Sequence, residues 1–285
     1  MIYRIAAGAK HSIFRDADRR DAERGKKMYE KFRKRMKGNP VVKVLGIRMR
    51  IDRASNHDVG MFMAFDRSRI YEPAVTRLVT SLRPGMTFVD VGANNGYFSL
   101  LAAKAVGTSG KVYAFEPVPE TFSRLKRNVE LNRFKNVRLN RLALGMKNST
   151  VDINLSGVED GLNSIVNIGH AVSSTTVKVR TLDSIIEGED IDLMKIDVEG
   201  YEKQVLMGSK RLLGAGKIKK IVFEYSHRLT HLNGGDYDAC FMILKGAGFT
   251  IHEIFQNGTI RRQDISSHHE LTQMGCNLYA SLGSD

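Results

Sequence analysis

Residues 88–98 read FVDVGANNGYF, and this stretch decides the fold of the chain. A short apolar run with an acid near its end is followed by a small polar turn between two glycines, and an aromatic pair opens the next apolar segment. The pattern predicts a buried strand, a tight turn and the start of a helix. Gly92 and Gly96 allow the backbone to approach a ligand, which the N–H groups at the start of the helix can bind.

Strand and helix patterns alternate around this stretch. The predicted strands are 87–91, 111–115, 137–142, 191–196 and 218–224, and the predicted helices are 71–82, 97–106, 118–132, 201–213 and 236–247. Such alternation is typical of an α/β fold, in which a parallel sheet carries helices on both faces. The last two strand patterns, 249–255 and 276–282, have no helix pattern between them, so we expect an antiparallel C-terminal hairpin at the sheet edge.

The segment 145–180, called here the insertion, interrupts the alternation. It has two strand patterns, 151–155 and 176–180, around a stretch rich in Gly, Ser and Asn. Connections of this length in a compact domain are often binding loops or lids.

The first 70 residues form a separate basic region. Residues 1–40 hold 13 Lys or Arg and 5 Asp or Glu, which accounts for most of the net charge of +13. A charged helix is predicted at 14–37 and a strand at 41–51, with which the apolar run 59–65 is expected to pair. The sequence therefore predicts an N-terminal helical arm with a short β segment over 1–70 and an α/β domain over 71–285.

The apolar residues of the arm allow two interpretations. Met28, Tyr29, Phe32 and Met36 share one helix face. That face either docks on an anionic membrane surface or packs on the domain, and we favour packing. Nucleic acid is not expected as a partner, because the arm lacks the interleaved aromatic residues of a single-strand binder.

Composition excludes several classes of protein. With 285 residues, 42% hydrophobic and 26% charged, the chain is typical of a globular protein, and its apolar runs are too short to span a bilayer. The first ten residues have too short an apolar core for a secretory signal. Cys240 and Cys276 are too few for a disulfide framework, so we expect buried thiols in a reducing compartment, the cytoplasm.

Acidic residues at two strand ends indicate the ligand. Asp90 would repel a pyrophosphate but suits a cationic group, and the glycine pattern is neither a dinucleotide fingerprint nor a P-loop. Glu116 ends the next strand, where a carboxylate can accept hydrogen bonds from both hydroxyls of a ribose. These features fit a nucleoside that carries an amino acid, as S-adenosylmethionine does.

A second acidic cluster lies in residues 192–202, which read DLMKIDVEGYE. Asp197 and Glu199 follow a predicted strand, and ligands of open α/β sheets bind at the carboxyl ends of strands. The alternative is a helix-capping Asp and a first-turn Glu. His227 and His231, after the fifth strand, are further base candidates, although capping or packing would also explain them.

Together these residues resemble the FkbM-type methyltransferases. The resemblance covers about residues 71–282 and rests on five motifs: the turn from Asp90 to Gly96, Glu116-Pro117, Asn128-x-x-x-Asn132, Thr181-Leu-Asp183, and the stretch from Lys195 to Glu202. It implies a Rossmann-like methyltransferase fold with a mostly parallel seven-stranded sheet. It also implies S-adenosylmethionine as the methyl donor and a hydroxyl of a sugar, glycolipid or other small molecule as the acceptor.

The resemblance further implies roles for individual residues. The donor is bound by Asp90, Gly92, Ala93, Asn94, Asn95, Gly96, Glu116, Ala143 and Leu144, with Glu116 on the ribose and the last two beside the adenine. Asp197 faces the transferred methyl with Glu199 beside it, and His227 is kept as a catalytic candidate. Asp197 and Glu199 could instead hold a divalent cation that acidifies the acceptor hydroxyl, but we favour a reaction without an essential metal.

Two other functions stay open from the sequence. An RNA methyltransferase could use the basic arm, but the chain lacks an Asn/Asp-Pro-Pro-aromatic tetrapeptide and a cysteine placed as a nucleophile. A non-catalytic adaptor could keep the cofactor fold, but the intact Asp90, Gly92, Gly96 and Glu116 disfavour it. A cytoplasmic protein, either free or peripheral to a membrane, is the expected location.

Overall fold

The computed structural model describes residues 19–66, 70–156, 171–226, 237–255, 259–261, 263–271 and 275–283. Its helices are α1 (Arg19–Arg35), α2 (Asn56–Asp66), α3 (Pro73–Thr80), α4 (Tyr97–Val106), α5 (Pro119–Asn132), α6 (Glu202–Met207), α7 (Lys210–Gly214) and α8 (Tyr237–Gly246). Its strands are β1 (Val41–Val44), β2 (Ile47–Arg50), β3 (Thr87–Val91), β4 (Lys111–Phe115), β5 (Val137–Asn140), β6 (Ala143–Leu144), β7 (Ser149–Ser156), β8 (Ala171–Arg180), β9 (Leu193–Ile196), β10 (Lys220–Ser226), β11 (Phe249–Ile254) and β12 (Gly275–Leu282).

Seven strands form the central sheet, in the order β11-β12-β10-β9-β3-β4-β5. The five strands from β10 to β5 are parallel, whereas β12 is antiparallel to both β10 and β11. One hydrophobic cluster joins the sheet to α6, α7 and α8, and another joins it to α3, α4 and α5. Because helices cover both faces, a central strand such as β3 is buried along its whole length. The predicted α/β Rossmann-like fold with an antiparallel C-terminal hairpin is confirmed.

The apolar run 59–65 is helical, so the strand expected there was wrong. It lies in α2, whose start is capped by Ser55, since the Ser55 Oγ accepts a hydrogen bond from the Asp58 N–H at 3.0 Å. Val59, Met61 and Met63 are buried. A segment buried on most of its sides loses the period that separates a helix from a strand, and the sequence pattern could not distinguish them.

The hairpin β1–β2 is held against α5 by two asparagines. The Asn128 Oδ1 accepts from the Arg50 N–H at 2.9 Å, and the Asn132 Oδ1 accepts from the Arg48 N–H at 2.8 Å. Residues four apart lie on one face of a helix, so both side-chain amides reach the same strand edge. The hairpin and α2, residues 41–66, are called here the N-terminal unit.

The arm packs its apolar face on the rest of the chain. Phe32 and Met36 are buried in the same cluster as Ile47 and Val75, and Met28 and Tyr29 lie partly buried against it. For residues 28–36 this supports the packing interpretation of the helix. Among the described residues, no helix combines the length and the apolarity needed to cross a membrane. The domain boundary at residue 70 stays a prediction.

The insertion adds a small second sheet. Strands β7 and β8 pair antiparallel, and β6 pairs parallel with β8. Ala143, Ile153 and Val177 share a small apolar cluster between this sheet and Val118. Residues 157–170 of the insertion lie outside the described part of the chain.

The helix predicted at 201–213 is two helices, α6 and α7, which separate at Gly208, whose carbonyl oxygen accepts from the Asp183 N–H at 3.1 Å instead of continuing the helical hydrogen bonds. A Cβ at Gly208 would lie 2.0 Å from the carbonyl oxygen of Gly145, so the chain passes the insertion there without room for a side chain. The start of α7 is capped by Asp183 from elsewhere in the chain, whose carboxylate accepts hydrogen bonds from the N–H groups of Arg211 at 2.8 Å and Leu212 at 3.0 Å.

Alanine at this contact should destabilise the fold. We expect Gly208→Ala to lower the free energy of unfolding by about 1–3 kcal/mol, because the new methyl group displaces a backbone carbonyl. At Gly214 in α7 a Cβ would meet nothing within 4 Å, so Gly214→Ala should leave stability unchanged or raise it by up to about 1 kcal/mol. Urea denaturation of both variants measures the difference, and equal stabilities would contradict the packing constraint.

Candidate functional site

A pocket opens at the carboxyl ends of β3, β4 and β9. Most of the residues that the sequence assigns to the site lie on its wall, namely Gly92, Ala93, Asn94, Asn95, Glu116, Ala143, Leu144, Asp197 and Glu199. Asp90 and Gly96 do not lie on this wall, and His227 lies outside the described residues. The sheet thus brings the predicted donor and catalytic residues, which are far apart in sequence, to one cavity.

The segment 92–96, called here the glycine turn, packs tightly against other parts of the chain. At Gly92, where φ is +81°, a Cβ would lie 1.9 Å from the carbonyl oxygen of Asp197. At Gly96, where φ is +94°, a Cβ would lie 2.6 Å from Cδ1 of Leu125 in α5. The atoms that a Cβ would meet at these two positions therefore belong to the protein itself. The expected contact of the two glycines with a ligand stays a prediction.

Asp90 lies behind the pocket wall. It is buried, and its Oδ2 accepts a hydrogen bond from the Ser99 Oγ at 2.6 Å, which ties β3 to α4. Its Oδ1 has no hydrogen-bond partner among the described residues. Burial raises the pKa of the carboxyl above its usual range, and the nearby Lys195 opposes part of this shift. Asp90 therefore acts on the pocket through its charge and by holding α4.

Glu116 fixes the glycine turn from the neighbouring strand. Its Oε2 accepts from the Asn94 N–H at 3.0 Å, and its Oε1 accepts from the Val118 N–H at 2.9 Å. Burial raises the pKa of this carboxyl to about 7, although both hydrogen bonds favour the charged form. A carboxylate at the end of β4 is where the sequence expects the ribose of the donor.

Lys195 is a site residue to which the sequence analysis gave no role. Its Nζ lies 2.9 Å from Oδ2 of Asp197 and 4.9 Å from the centre of the Phe98 ring. Burial alone would lower the pKa of the amine, but the charges of Asp197 and Asp90 raise it above its ordinary value. Lys195 is thus a cation that orients Asp197. A lysine inside the apolar run of β9 was the signal that could have revealed it.

Two further acids lie near Asp197: Glu199 in the turn after β9 and Glu224 in β10. Carboxylate oxygens of Asp197, Glu199 and Glu224 lie within 4.8 Å of one another, a set that could hold a hard cation. Behind them, the buried Glu202 accepts from the Gly200 N–H at 3.2 Å, and burial raises the pKa of Glu202 to about 7. That a metal is not essential stays a prediction.

Three wall residues come from the chain before the predicted motifs: His57, Tyr71 and Glu72. Glu72 has a φ of +41° although it precedes a proline. Asn94 and Glu199, on the same wall, also have positive φ values, +48° and +53°. Non-glycine residues in this conformation cost free energy and are often found at functional sites. No motif marks these three N-terminal residues in the sequence.

Part of the pocket wall is apolar. It includes Ala143 and Leu144 together with Val118 and, from the insertion, Ile153. This wall has the character expected beside a planar, weakly polar ring such as adenine.

The comparison with protein families agrees with this geometry. Residues 90–251 match the family described as the methyltransferase FkbM domain, and this match covers more than half of the chain.

The chain belongs to the FkbM methyltransferase family.

Two curated relatives are similar over part of their length. The hexuronic acid methyltransferase AglP of Haloferax volcanii is 32% identical over 130 residues, covering 44% of this chain and 50% of the relative. Methyltransferase 1 of Beauveria bassiana is 30% identical over 143 residues, covering 42% and 57%. This chain thus spans about half the length of the curated relatives that it matches.

Among solved structures, a methyltransferase FkbM from Methylobacillus flagellatus aligns with a TM-score of 0.45 and 17% identity, covering 90% of this chain and 59% of that protein. An S-adenosylmethionine-dependent O-methyltransferase from Thermotoga maritima aligns with a TM-score of 0.43 and 14% identity, covering 87% and 79%. Likeness at this level does not identify a substrate.

The raised pKa of Glu116 predicts how donor affinity depends on pH. If the ionised carboxylate accepts the ribose hydroxyls, protonation removes an acceptor, so affinity for S-adenosylhomocysteine should fall as the pH drops through about 7. Calorimetric titration between pH 5.5 and 8.5 measures this dependence.

Two substitutions test the assignment to Glu116. Glu116→Gln should bind more weakly and lose most of the pH dependence. Glu202 has a pKa of about 7 as well but does not lie on the wall, so Glu202→Gln should keep the dependence. A wild-type affinity that is constant across this range would contradict the role of Glu116.

Proposed function

We propose that this FkbM-family protein transfers a methyl group from S-adenosylmethionine to a hydroxyl of a sugar, a glycolipid or another small hydroxylated molecule. The observation that carries the proposal is the position of Asp197. This residue follows β9, the strand that pairs with β3, and its carbonyl oxygen lies against Gly92 of the glycine turn. A carbohydrate acceptor is supported by the similarity to AglP, which is a hexuronic acid methyltransferase.

The residues of the pocket fit the donor. The described wall carries four acids, Glu72, Glu116, Asp197 and Glu199, and its only Lys or Arg is Lys195. An acidic, partly buried pocket favours a ligand with positive charge, and the donor has both a sulfonium and an ammonium group. We assign Glu116 to the ribose, the apolar wall at Ala143 and Leu144 to the adenine, and residues 92–95 to the methionine side.

Catalysis in this scheme depends mainly on positioning. When bound, S-adenosylmethionine supplies a methyl group that the sulfonium already activates. The protein has to hold the acceptor oxygen in line with it, and alignment of this kind can lower a barrier by roughly 7–11 kcal/mol. Lys195 fixes one oxygen of Asp197, so the carboxylate is oriented before the acceptor arrives.

Asp197 also receives the proton of the acceptor hydroxyl. A carboxylate, with an ordinary pKa near 4, is a weak base for an alcohol, so the proton moves late, as the new carbon–oxygen bond forms. The protonated Lys195 cannot take the proton itself. Glu199 lies beside Asp197 as a second hydrogen-bond acceptor for substrate hydroxyls. His227, outside the described residues, stays a candidate base.

An interfacial partner is proposed only for the polar face of the arm. Since Phe32 and Met36 are buried, their face of the helix is not available for insertion into lipid. Exposed Lys31, Lys34 and Arg35 could contact an anionic surface. The proposed location is the cytoplasm, free or at a membrane surface, and no observation favours RNA as the substrate or a non-catalytic role.

The first test of the function is donor binding. We expect the wild-type protein to bind S-adenosylhomocysteine with micromolar affinity in a calorimetric titration. Asp90→Ala should weaken binding by about tenfold or more, because it removes a buried charge that faces Lys195. No binding by the folded wild-type protein would contradict the methyltransferase proposal.

A methyl-transfer assay repeated in EDTA tests whether the reaction needs a metal. Loss of activity that Mg²⁺ restores would contradict the proposal of a metal-free reaction.

The second test separates catalysis from binding. Asp197→Asn should lower the rate of methyl transfer to hexuronic acids or neutral sugars by about 100-fold or more. Its affinity for S-adenosylhomocysteine should change by less than about threefold. Asp190→Asn is the matched control, since Asp190 is exposed and lies before the start of the same strand. Equal rates for the wild type and Asp197→Asn would contradict the role of Asp197.

A further inference from the structure

Asn95 of the glycine turn is anchored by a residue outside the family match. Its Nδ2 donates to Oδ1 of Asp58 in α2 at 2.7 Å and lies 3.1 Å from the Met61 sulfur. Its Oδ1 accepts from the Tyr97 N–H, at the start of α4, at 3.3 Å. The amide therefore has a fixed orientation, with the nitrogen toward the N-terminal unit and the oxygen toward the helix.

The second carboxylate oxygen of Asp58 is bound within the N-terminal unit. The carboxylate is fully buried, and its Oδ2 accepts from the Asp52 N–H at 2.8 Å. One carboxylate thus connects the backbone at Asp52 to the side chain of Asn95. Its two oxygens face two N–H donors, an arrangement that an amide side chain at position 58 could not reproduce.

The backbone of Asn95 is held from a second direction. Its carbonyl oxygen accepts from Nδ2 of Asn128 at 2.9 Å, and the same Asn128 side chain holds the edge of β2 at Arg50. Asn132, four residues later, also holds β2, but at Arg48 and without contacting the glycine turn. The two asparagines therefore share the docking of the hairpin and differ in their contact with the site.

We propose that Asp58 is a positioning residue for donor binding, which couples the N-terminal unit to the glycine turn through the side chain of Asn95. Asn94 on the pocket wall has a φ of +48°, and a turn in such a conformation needs neighbours that hold it. Glu116 holds one side of the turn, at the Asn94 N–H, and Asp58 holds the other. The inference rests on the proposed binding of the donor at this turn.

An exchange of the two side chains provides the test. In Asp58→Asn, the new amide NH₂ must face one of the two N–H donors that the carboxylate accepted from. In Asn95→Asp, the carboxylates of residues 58 and 95 lie within hydrogen-bond distance of each other. Each single variant should bind S-adenosylhomocysteine about tenfold more weakly or worse. In the double variant Asp58→Asn/Asn95→Asp, the Nδ2 of residue 58 donates to the carboxylate of residue 95, while its Oδ1 still accepts from Asp52. We expect this double variant to bind more tightly than either single variant.

Asn132→Ala controls for a general weakening of the interface. It removes hydrogen bonds of the same hairpin, so it should lower the melting temperature but leave the affinity for S-adenosylhomocysteine within about twofold of wild type. All variants are isosteric or small changes, and each is titrated below its own melting temperature.

The outcomes separate this inference from the proposed function. Wild-type protein that does not bind S-adenosylhomocysteine contradicts both. If the wild type binds, the inference alone is overturned by single variants with wild-type affinity, by a double variant no tighter than the better single variant, or by Asn132→Ala weakening binding as much as Asp58→Asn does.

Discussion

The carbonyl oxygen of Asp197 lies against the α-carbon of Gly92, in space that any side chain at position 92 would fill. Strands β3 and β9 are adjacent and parallel, and the Asp197 N–H continues their ladder by donating to the Val91 oxygen at 3.0 Å. The glycine turn and the Asp197 carboxylate, to which we assign donor binding and catalysis, are therefore positioned by one backbone contact between neighbouring strand ends. Their relative position follows from the sheet.

Charge balance is the second constraint on the pocket. Asp90 and Asp197 lie near each other in surroundings that penalise charge, as the raised pKa of Asp90 indicates. Lys195 lies between them, and the combined attraction of both acids exceeds the cost of burying its amine. Removing the lysine would leave two carboxylates near each other without that cation, which would raise the pKa of Asp90 further. The charge balance of the pocket thus depends on a residue that is not proposed to react.

The sequence predicted the sheet well because parallel strands buried on both faces read as short apolar runs. It also predicted that Asp90, Glu116 and Asp197 each lie at or near a strand end. The exceptions depend on contacts between distant residues. The helix is interrupted at Gly208, whose carbonyl oxygen accepts from the Asp183 N–H; glycine is needed at 96 because of Leu125; and the helix at 59–65 is buried so that its period is lost. No local pattern contains that information.

The two segments that depart from the strand–helix alternation both contribute to the pocket wall. The described part of the insertion contributes Ile153, which clusters with Ala143 and Val118. The chain before β3 contributes His57, Tyr71 and Glu72, and the charge of Glu72 acts on Lys195. In the proposed reaction the acceptor hydroxyl approaches the carboxylate that Lys195 orients, in the pocket whose wall includes these N-terminal residues. The part of the described wall that the family match leaves out is therefore where we expect one acceptor to be distinguished from another.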